Sequence, residues 1–332
     1  MSGLSASAPA LSIVIPAPRD PALLEATLVS VLENRPADCE IVAAIGFAYD
    51  DPWRVAGEVR LVPAPPGSGL AACVNVGIAA STAAVVHVLA AGWLGTPGWT
   101  LRPLELLADD EVLAVVPAGV TAADGPITSA GLRVTRGGRR VNVASAPGAA
   151  RADGGDAAGI RPAAPQLEAG FWRADSLAAV GPGFATCCGD WLAAADVATA
   201  LACLPGRVAF APESRVVCGP TATRPRAFTA GLQAERLFWR SLARGGFMTA
   251  LVAHAAEIVR DAVATAPLGT LPMLAGRTVA LMQGGGYLAR LRAVRAAAHA
   301  AAGHTLRIDG PHADAARRHR QPAEPLPVRR SA

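Results

Sequence analysis

GLAACVNVGIAASTAAVVHVLAAGWLGTPGW, residues 69–99, is the stretch on which the fold turns. Residues 69–80 open on glycine and stay apolar over three turns, which predicts a helix entered through a Gly-rich turn. Residues 84–90 (AVVHVLA) then form a short continuous apolar run, the pattern of a strand buried on both faces. Between that strand and the turn Pro97-Gly98-Trp99 stands Ala90-Ala91-Gly92, three residues without a side-chain oxygen or nitrogen.

Outward from this stretch the same alternation repeats. Upstream, residues 11–16 (LSIVIP) read as a buried strand ending at proline. Residues 21–34 (PALLEATLVSVLEN) read as a helix with Pro at its first position and Leu23, Leu24, Leu28, Val31 and Leu32 on one face. Residues 40–45 and 59–62 are two more short strands. Downstream, a helix over 97–107 precedes a strand over 112–117. Residues 121–165 lose periodicity and carry one short strand near 132–134. Strand 169–173, helices 175–180 and 191–204, and strand 208–211, stopped by Pro212, complete the unit. Strands alternating with helices predict an α/β fold with a mainly parallel sheet and helices on both faces.

After Pro220 the text becomes helical. Residues 227–263 keep a 3.6-residue period, with Gly245-Gly246 as a break point, and a further helix covers 278–302 with Gly284-Gly285-Gly286 as a second one. The organisation expected is a disordered lead (1–10), an α/β domain (11–220), a helical extension (221–303) and a disordered basic tail (304–332).

Composition bounds the function classes. At 332 residues, 52% hydrophobic and 17% charged, the chain buries a large core and is not a disordered protein. It has no run of about 20 apolar residues for a membrane span, and residues 1–10 lack the basic and apolar regions of a signal peptide. The net charge of +4 is modest, gathers in the tail and gives no reason to expect nucleic-acid binding. Every basic residue is arginine, which fits both a skewed base composition and a use for phosphate-binding forks. The six cysteines contain no C-x-x-C pair, so a zinc site is not expected, and a reducing cytoplasm is the default setting.

Six stretches in order resemble the inverting family 2 glycosyltransferases of the GT-A fold, in particular the rhamnosyltransferase-like branch. SIVIPAPRDPALL (12–24) is similar to the family's first strand and turn, and GLAACVNVGI (69–78) to its G-x-A-x-A-x-N-x-G-I pattern. Pro97-Gly98-Trp99 resembles the P-G-W step, and DGPITSAGL (124–132) the D-G-x-x-x-S-A-G segment. VGPGF (180–184) and FAPESRV (210–216) resemble the V-G-G-F turn and the strand ending in P-E-x-x-V. The resemblance implies sugar transfer from a nucleotide-sugar donor to a cell-envelope polysaccharide or glycolipid acceptor. It also implies a D-x-D motif holding manganese or magnesium on the diphosphate and a carboxylate acting as general base.

The acidic motifs themselves are replaced. The family's V-D-D-G-S falls on residues 44–48 (AIGFA), its D-x-D on Ala90-Ala91-Gly92 and its E-D pair on Ala193-Ala194. Alanine and glycine neither ligate a hard cation nor accept a proton, so no metal cofactor is expected. Asp190 and Asp196 bracket the missing E-D pair and are the candidates for the base; the alternatives are a helix-start cap and a helix-surface charge. Asp50 and Asp51 are candidates for the nucleoside, or else an Asx-turn before Pro52. By the same resemblance the donor pocket is framed by Pro16, Ala17, Gly69, Asn75, Ala90, Ala91 and Gly92. Arg133, Arg139, Arg140 and Arg173 are the arginines available to hold a diphosphate without metal.

Two functions follow. One is a metal-independent glycosyltransferase; the other is an inactive relative that serves as a partner or binds a nucleotide or sugar without turnover. The expected setting is cytoplasmic; an amphipathic helix carrying Arg236, Arg240 and Arg244 beside Leu237, Phe238 and Trp239 either lies on the inner face of the membrane or packs on its own domain.

Overall fold

The computed structural model of the chain describes residues 9–143, 161–181 and 183–308. The expected lead and tail lie almost wholly outside these residues.

Strand β1 (Leu11–Ala17) is buried along its whole length because it has a parallel neighbour on each side, β2 (Cys39–Ile45) and β4 (Val85–Leu89). β3 (Arg60–Pro63) pairs in parallel with the outer edge of β2. Beyond β4 the sheet becomes mixed: β10 (Ala169–Arg173) lies antiparallel to both β4 and β6 (Val112–Val120). β11 (Arg207–Val217) runs parallel to β6, and β5 (Leu94–Gly95) pairs antiparallel at its far edge. The order is β3-β2-β1-β4-β10-β6-β11-β5, with β7 (Ile127–Ser129) on β6 and a separate hairpin of β8 (Leu132–Val134) and β9 (Arg140–Asn142). β11 passes Pro212, where the sequence predicts a stop. The register shifts between Ala211 and Arg215, and an irregularity tolerates a residue that cannot donate to the ladder.

Helix α1 (Pro21–Asn34) starts as its sequence predicts. Asp20 accepts hydrogen bonds from the Ala22 and Leu23 amides, and Pro21 fills the first turn, where no N–H is needed. Helix α2 (Leu70–Ala80) has no side-chain cap from its own segment. Helix α3 (Leu101–Leu107) packs on β6, and α4 (Ala174–Val180) and α5 (Gly189–Leu201) lie between β10 and β11 in the chain.

The helical part comprises α6 (Ala227–Ser241), α7 (Phe247–Thr265), α8 (Thr270–Leu281) and α9 (Gly284–Ile308). Gly245 and Gly246 adopt φ of 77° and 68°, so the long helical pattern divides there into α6 and α7. α9 extends past the expected end at residue 302. α6 and α8 approach closely: a Cβ on Gly231 or Gly276 would lie 2.0 Å from a carbonyl oxygen of the other helix.

The amphipathic helix α6 packs on its own domain. Leu237 and Phe238 are fully buried, and Arg240 is bonded to Asp196 on α5. Apolar periodicity marks a helix face that is covered, but it does not say whether protein or lipid covers it. The exposed apolar residues lie on α7 and beyond, where Met248, Val252, Val259 and Val263 are spaced four, seven and four apart on one face. Among the described residues no helix is long and apolar enough to cross a membrane.

Candidate active site

A cleft of about 470 Å³ opens at the carboxyl ends of β1 and β4, where open α/β sheets place their ligands. Pro16 comes from the end of β1 and Ala90 and Ala91 from the end of β4. Gly69 and Leu70 belong to the start of α2, Asp190 and Trp191 to the start of α5, and Gln233 to α6. Arg19, Asp20, Pro220 to Thr223 and Pro225 complete the wall.

The loop at Ala90-Ala91-Gly92 is held by its own backbone. The amide of Ala90 donates to Glu168 O (2.8 Å), that of Ala91 to Pro16 O (3.1 Å), and that of Gly92 to Leu23 O and Thr27 Oγ1. Trp93 closes the turn by donating its amide to Ala90 O, and its indole N–H reaches Pro220 O at 3.0 Å. Gly92 has φ of 91°, and a Cβ there would meet Pro220 Cδ at 2.7 Å. Gly219 packs as closely, with a Cβ position 2.2 Å from Gly92 O. The segment after β11 therefore presses on the position where the resemblance places the last D-x-D residue, and a carboxylate side chain has no room in this arrangement. The donor set does not fit the manganese or magnesium implied by the resemblance. The described residues contain no group of three or more His, Cys, Asp or Glu side chains able to hold a metal ion.

Asp190 is the one carboxylate that α5 brings to the cleft. Its Oδ1 accepts the Ala71 amide at 2.9 Å, so it caps α2 from across the domain and supplies the partner that α2 lacks locally. Gly69 permits this approach, since a Cβ there would sit 2.7 Å from Asp190 Oδ2. Asp196, two helical turns on, is elsewhere. It is 1% exposed, accepts from Arg240 Nε and Nη2 (2.6 and 2.8 Å) and from Arg290 (3.3 Å), and does not line the cleft.

The remaining predicted residues divide in the same way. Pro16, Gly69, Ala90 and Ala91 line the cleft; Ala17 and Gly92 lie just behind it. Asn75 clamps the turn before α5, donating to Phe184 O (2.8 Å) and accepting from Phe184 N (2.7 Å). Asp51 caps the 3-10 turn Val55–Gly57 through the Val55 and Ala56 amides, and Asp50 is exposed; neither lines the cleft. Of the four arginines, Arg173 is bonded to the carbonyls of Leu107, Asp109 and Val112, and Arg133 to that of Arg161. Arg139 and Arg140 face a second, smaller pocket on the far side of Trp191.

His87, on the strand that leads to the loop, is fully buried, stacked at 3.8 Å on Phe171. Its Nδ1–H donates to Gly170 O, because its Nε2 accepts the indole N–H of Trp99 (3.0 Å). Burial drives its pKa down to about 3, and the bond to Gly170 only partly opposes that. It is a neutral core group.

Beneath the floor lies a carboxyl that carries no local sequence signal. Glu168 is 1% exposed; its Oε1 accepts the Ala222 amide and its Oε2 has no partner. Burial raises its pKa, against the opposing effects of the Ala222 bond and Arg140. Gln233 Oε1, on the cleft wall, is likewise buried and unpartnered.

No protein-family model matches the chain, and no curated protein matches it by sequence. Solved structures do. GalNAc-T7 with UDP, GalNAc and Mn2+ superimposes with a TM-score of 0.54 at 16% identity, covering 71% of this chain and 48% of that one. The chain thus spans about half the length of that structure. The mannosyltransferase PcManGT from Pyrobaculum calidifontis in complex with GDP-Man and Mn2+ aligns at 18% identity over 89% of this chain and 88% of that one, with a TM-score of 0.48. Likeness at this level of identity establishes the fold, which is the GT-A fold of glycosyltransferases.

Proposed function

We propose that the chain binds a nucleoside-diphosphate sugar in this cleft and transfers the sugar to a hydroxyl of a cell-envelope glycan or glycolipid, without a metal held by a D-x-D motif. The observation that carries this reading is Asp190, a carboxylate on the wall of a 470 Å³ cleft beside Ala90 and Ala91. Its role is that of general base. As the acceptor oxygen bonds to the anomeric carbon, the carbon–oxygen bond to the diphosphate breaks and the diphosphate leaves with that electron pair. The hydroxyl proton passes to Asp190. Arg19, exposed on the cleft wall, supplies positive charge for the leaving group.

A second reading, donor binding without turnover, is favoured by one observation. The Asp190 carboxylate is already engaged by the Ala71 amide, which makes it a cap as much as a base. Calorimetric titration with UDP and GDP, with and without manganese, joined to a donor-consumption assay, separates the two. Binding that ignores manganese, with D190N keeping affinity and losing about 10²-fold or more in turnover, is the expected result. Binding with no turnover by either protein selects the second reading. Failure to bind any nucleoside diphosphate overturns both, and binding that needs manganese contradicts the metal-free site.

A glycolipid acceptor would be met at a membrane surface. The exposed apolar face of α7, continued by Leu268 and Leu271, is the part of the molecule suited to lie against one.

A further inference from the structure

On the far side of Trp191 from the cleft is a pocket of about 100 Å³, enclosed by the β8–β9 hairpin, the start of α5, α6, α7 and α8. Trp191 and Pro225 form a wall common to the pocket and the cleft. The pocket is too small for a nucleotide and large enough for one phosphate group. Its lining carries five arginines (Arg139, Arg140, Arg224, Arg260 and Arg277) against two carboxylates, Glu257 and Asp261.

The carboxylates are already shared. Glu257 is paired with both Arg139 (3.0 Å) and Arg260 (3.2 Å), and Asp261 with both Arg224 (2.9 Å) and Arg277 (2.8 Å). Arg277 also reaches Glu235 behind the wall at 2.8 Å. Glu235 in turn accepts from His254 Nε2 at 2.9 Å, while His254 Nδ1 faces the Gly137 carbonyl at 2.9 Å. Burial alone would raise the Glu235 pKa, but the bonds from His254, Arg277 and Trp239 hold it below the usual range, and it remains the charged partner.

Arg140 is left over. It is only 8% exposed, and among the described residues no carboxylate bonds it. Its Nε donates to Asn142 Oδ1, its Nη1 donates to Trp191 O, and its guanidinium lies 4.1 Å from the Trp191 ring centroid. Glu168, which acts on it electrostatically, is itself pushed toward its neutral form by burial. A buried guanidinium satisfied by neutral dipoles alone has lost hydration that only an anion restores in full.

We propose that this pocket is a phosphate subsite, separate from the donor cleft, that holds an anionic group of the acceptor through Arg140, Arg224 and Arg260. Trp191 and Pro225 stand between it and the cleft. The acceptor half of the statement rests on the transferase reading; the anion site does not.

Inorganic phosphate titrated into the full chain at constant ionic strength, followed by calorimetry and by thermal shift, tests it. The wild type should bind one phosphate. R140Q should weaken binding about tenfold or more, as loss of a charge-assisted pair predicts, and R224Q several-fold. Arg224 is half-exposed, so R224Q keeps the test intact should R140Q fail to fold. Saturating UDP should leave phosphate binding unchanged. No phosphate binding by folded wild type overturns the proposal, as does equal binding by both variants. Competition by UDP overturns it too, because the anion site would then be the donor's. Absence of binding to UDP and GDP alike, with phosphate binding intact, sinks the transferase reading and leaves the anion site standing.

Discussion

His87 illustrates how a single residue on the strand leading to the Ala90-Ala91-Gly92 loop is fixed by its neighbours. Between its buried state, with a pKa of about 3, and an ordinary value of 6.5, the unfolded chain binds a proton that the folded chain refuses. Stability must therefore fall as pH falls through that window. From pH 7 to pH 5 this group alone costs about 2 kcal/mol. Urea denaturation of wild type and H87Q at the two pH values checks this, since glutamine can still accept from Trp99 and donate to Gly170. The wild-type drop should exceed that of the variant by about the same amount, and parallel profiles would remove His87 from the account. Gly92 makes a related point. Pro220 and Gly219 pack closely on it, so the shape of the loop leaves no room for the acidic side chain that the resemblance places there.

At the scale of elements, α5 presents its two acidic residues to different tasks. Asp190 at its start faces the cleft, while Asp196 in its middle is buried against Arg240 of α6 and Arg290 of α9. The second arrangement fastens the helical part to the sheet domain. Replacing Asp196 leaves two guanidinium groups facing a buried neutral site, and D196N should lose about 3 kcal/mol of stability. Chemical denaturation measures that loss, and nucleotide titration should show donor affinity kept. A D196N protein as stable as wild type and yet inactive would instead assign Asp196 to the chemistry. The same locking decides between the two readings of α6: its amphipathic stripe is covered by α5 and α8 rather than left for a membrane.

For the whole molecule, the cleft crosses the boundary that composition suggests at residue 220. Pro220 to Thr223, Pro225 and Gln233 form one wall, and the β-strand ends form the other. The exposed apolar face lies on the helices beyond that wall. The full chain should float with vesicles containing anionic lipid, and charge introduced by V252D with V259D should return it to solution. Wild type that stays in solution would argue against a membrane-bound acceptor. The sequence by itself determined the alternation of strands and helices from β1 to β4, the helix start at Pro21 and the glycine entry to α2, because strand and helix periods and cap chemistry are local; the short strands β5, β7 and β9 and the start of α8 at Thr270 carry no such periodic signal. It gave no means to choose between Asp190 and Asp196, or to see Glu168, Arg19 or Gln233. Those assignments depend on side chains that meet across 44 residues of chain (Asp196 and Arg240), 54 (Glu168 and Ala222) and 119 (Asp190 and Ala71). Only the tertiary structure decides such meetings, since burial and partner geometry set whether a carboxylate is an anchor, a cap or a base.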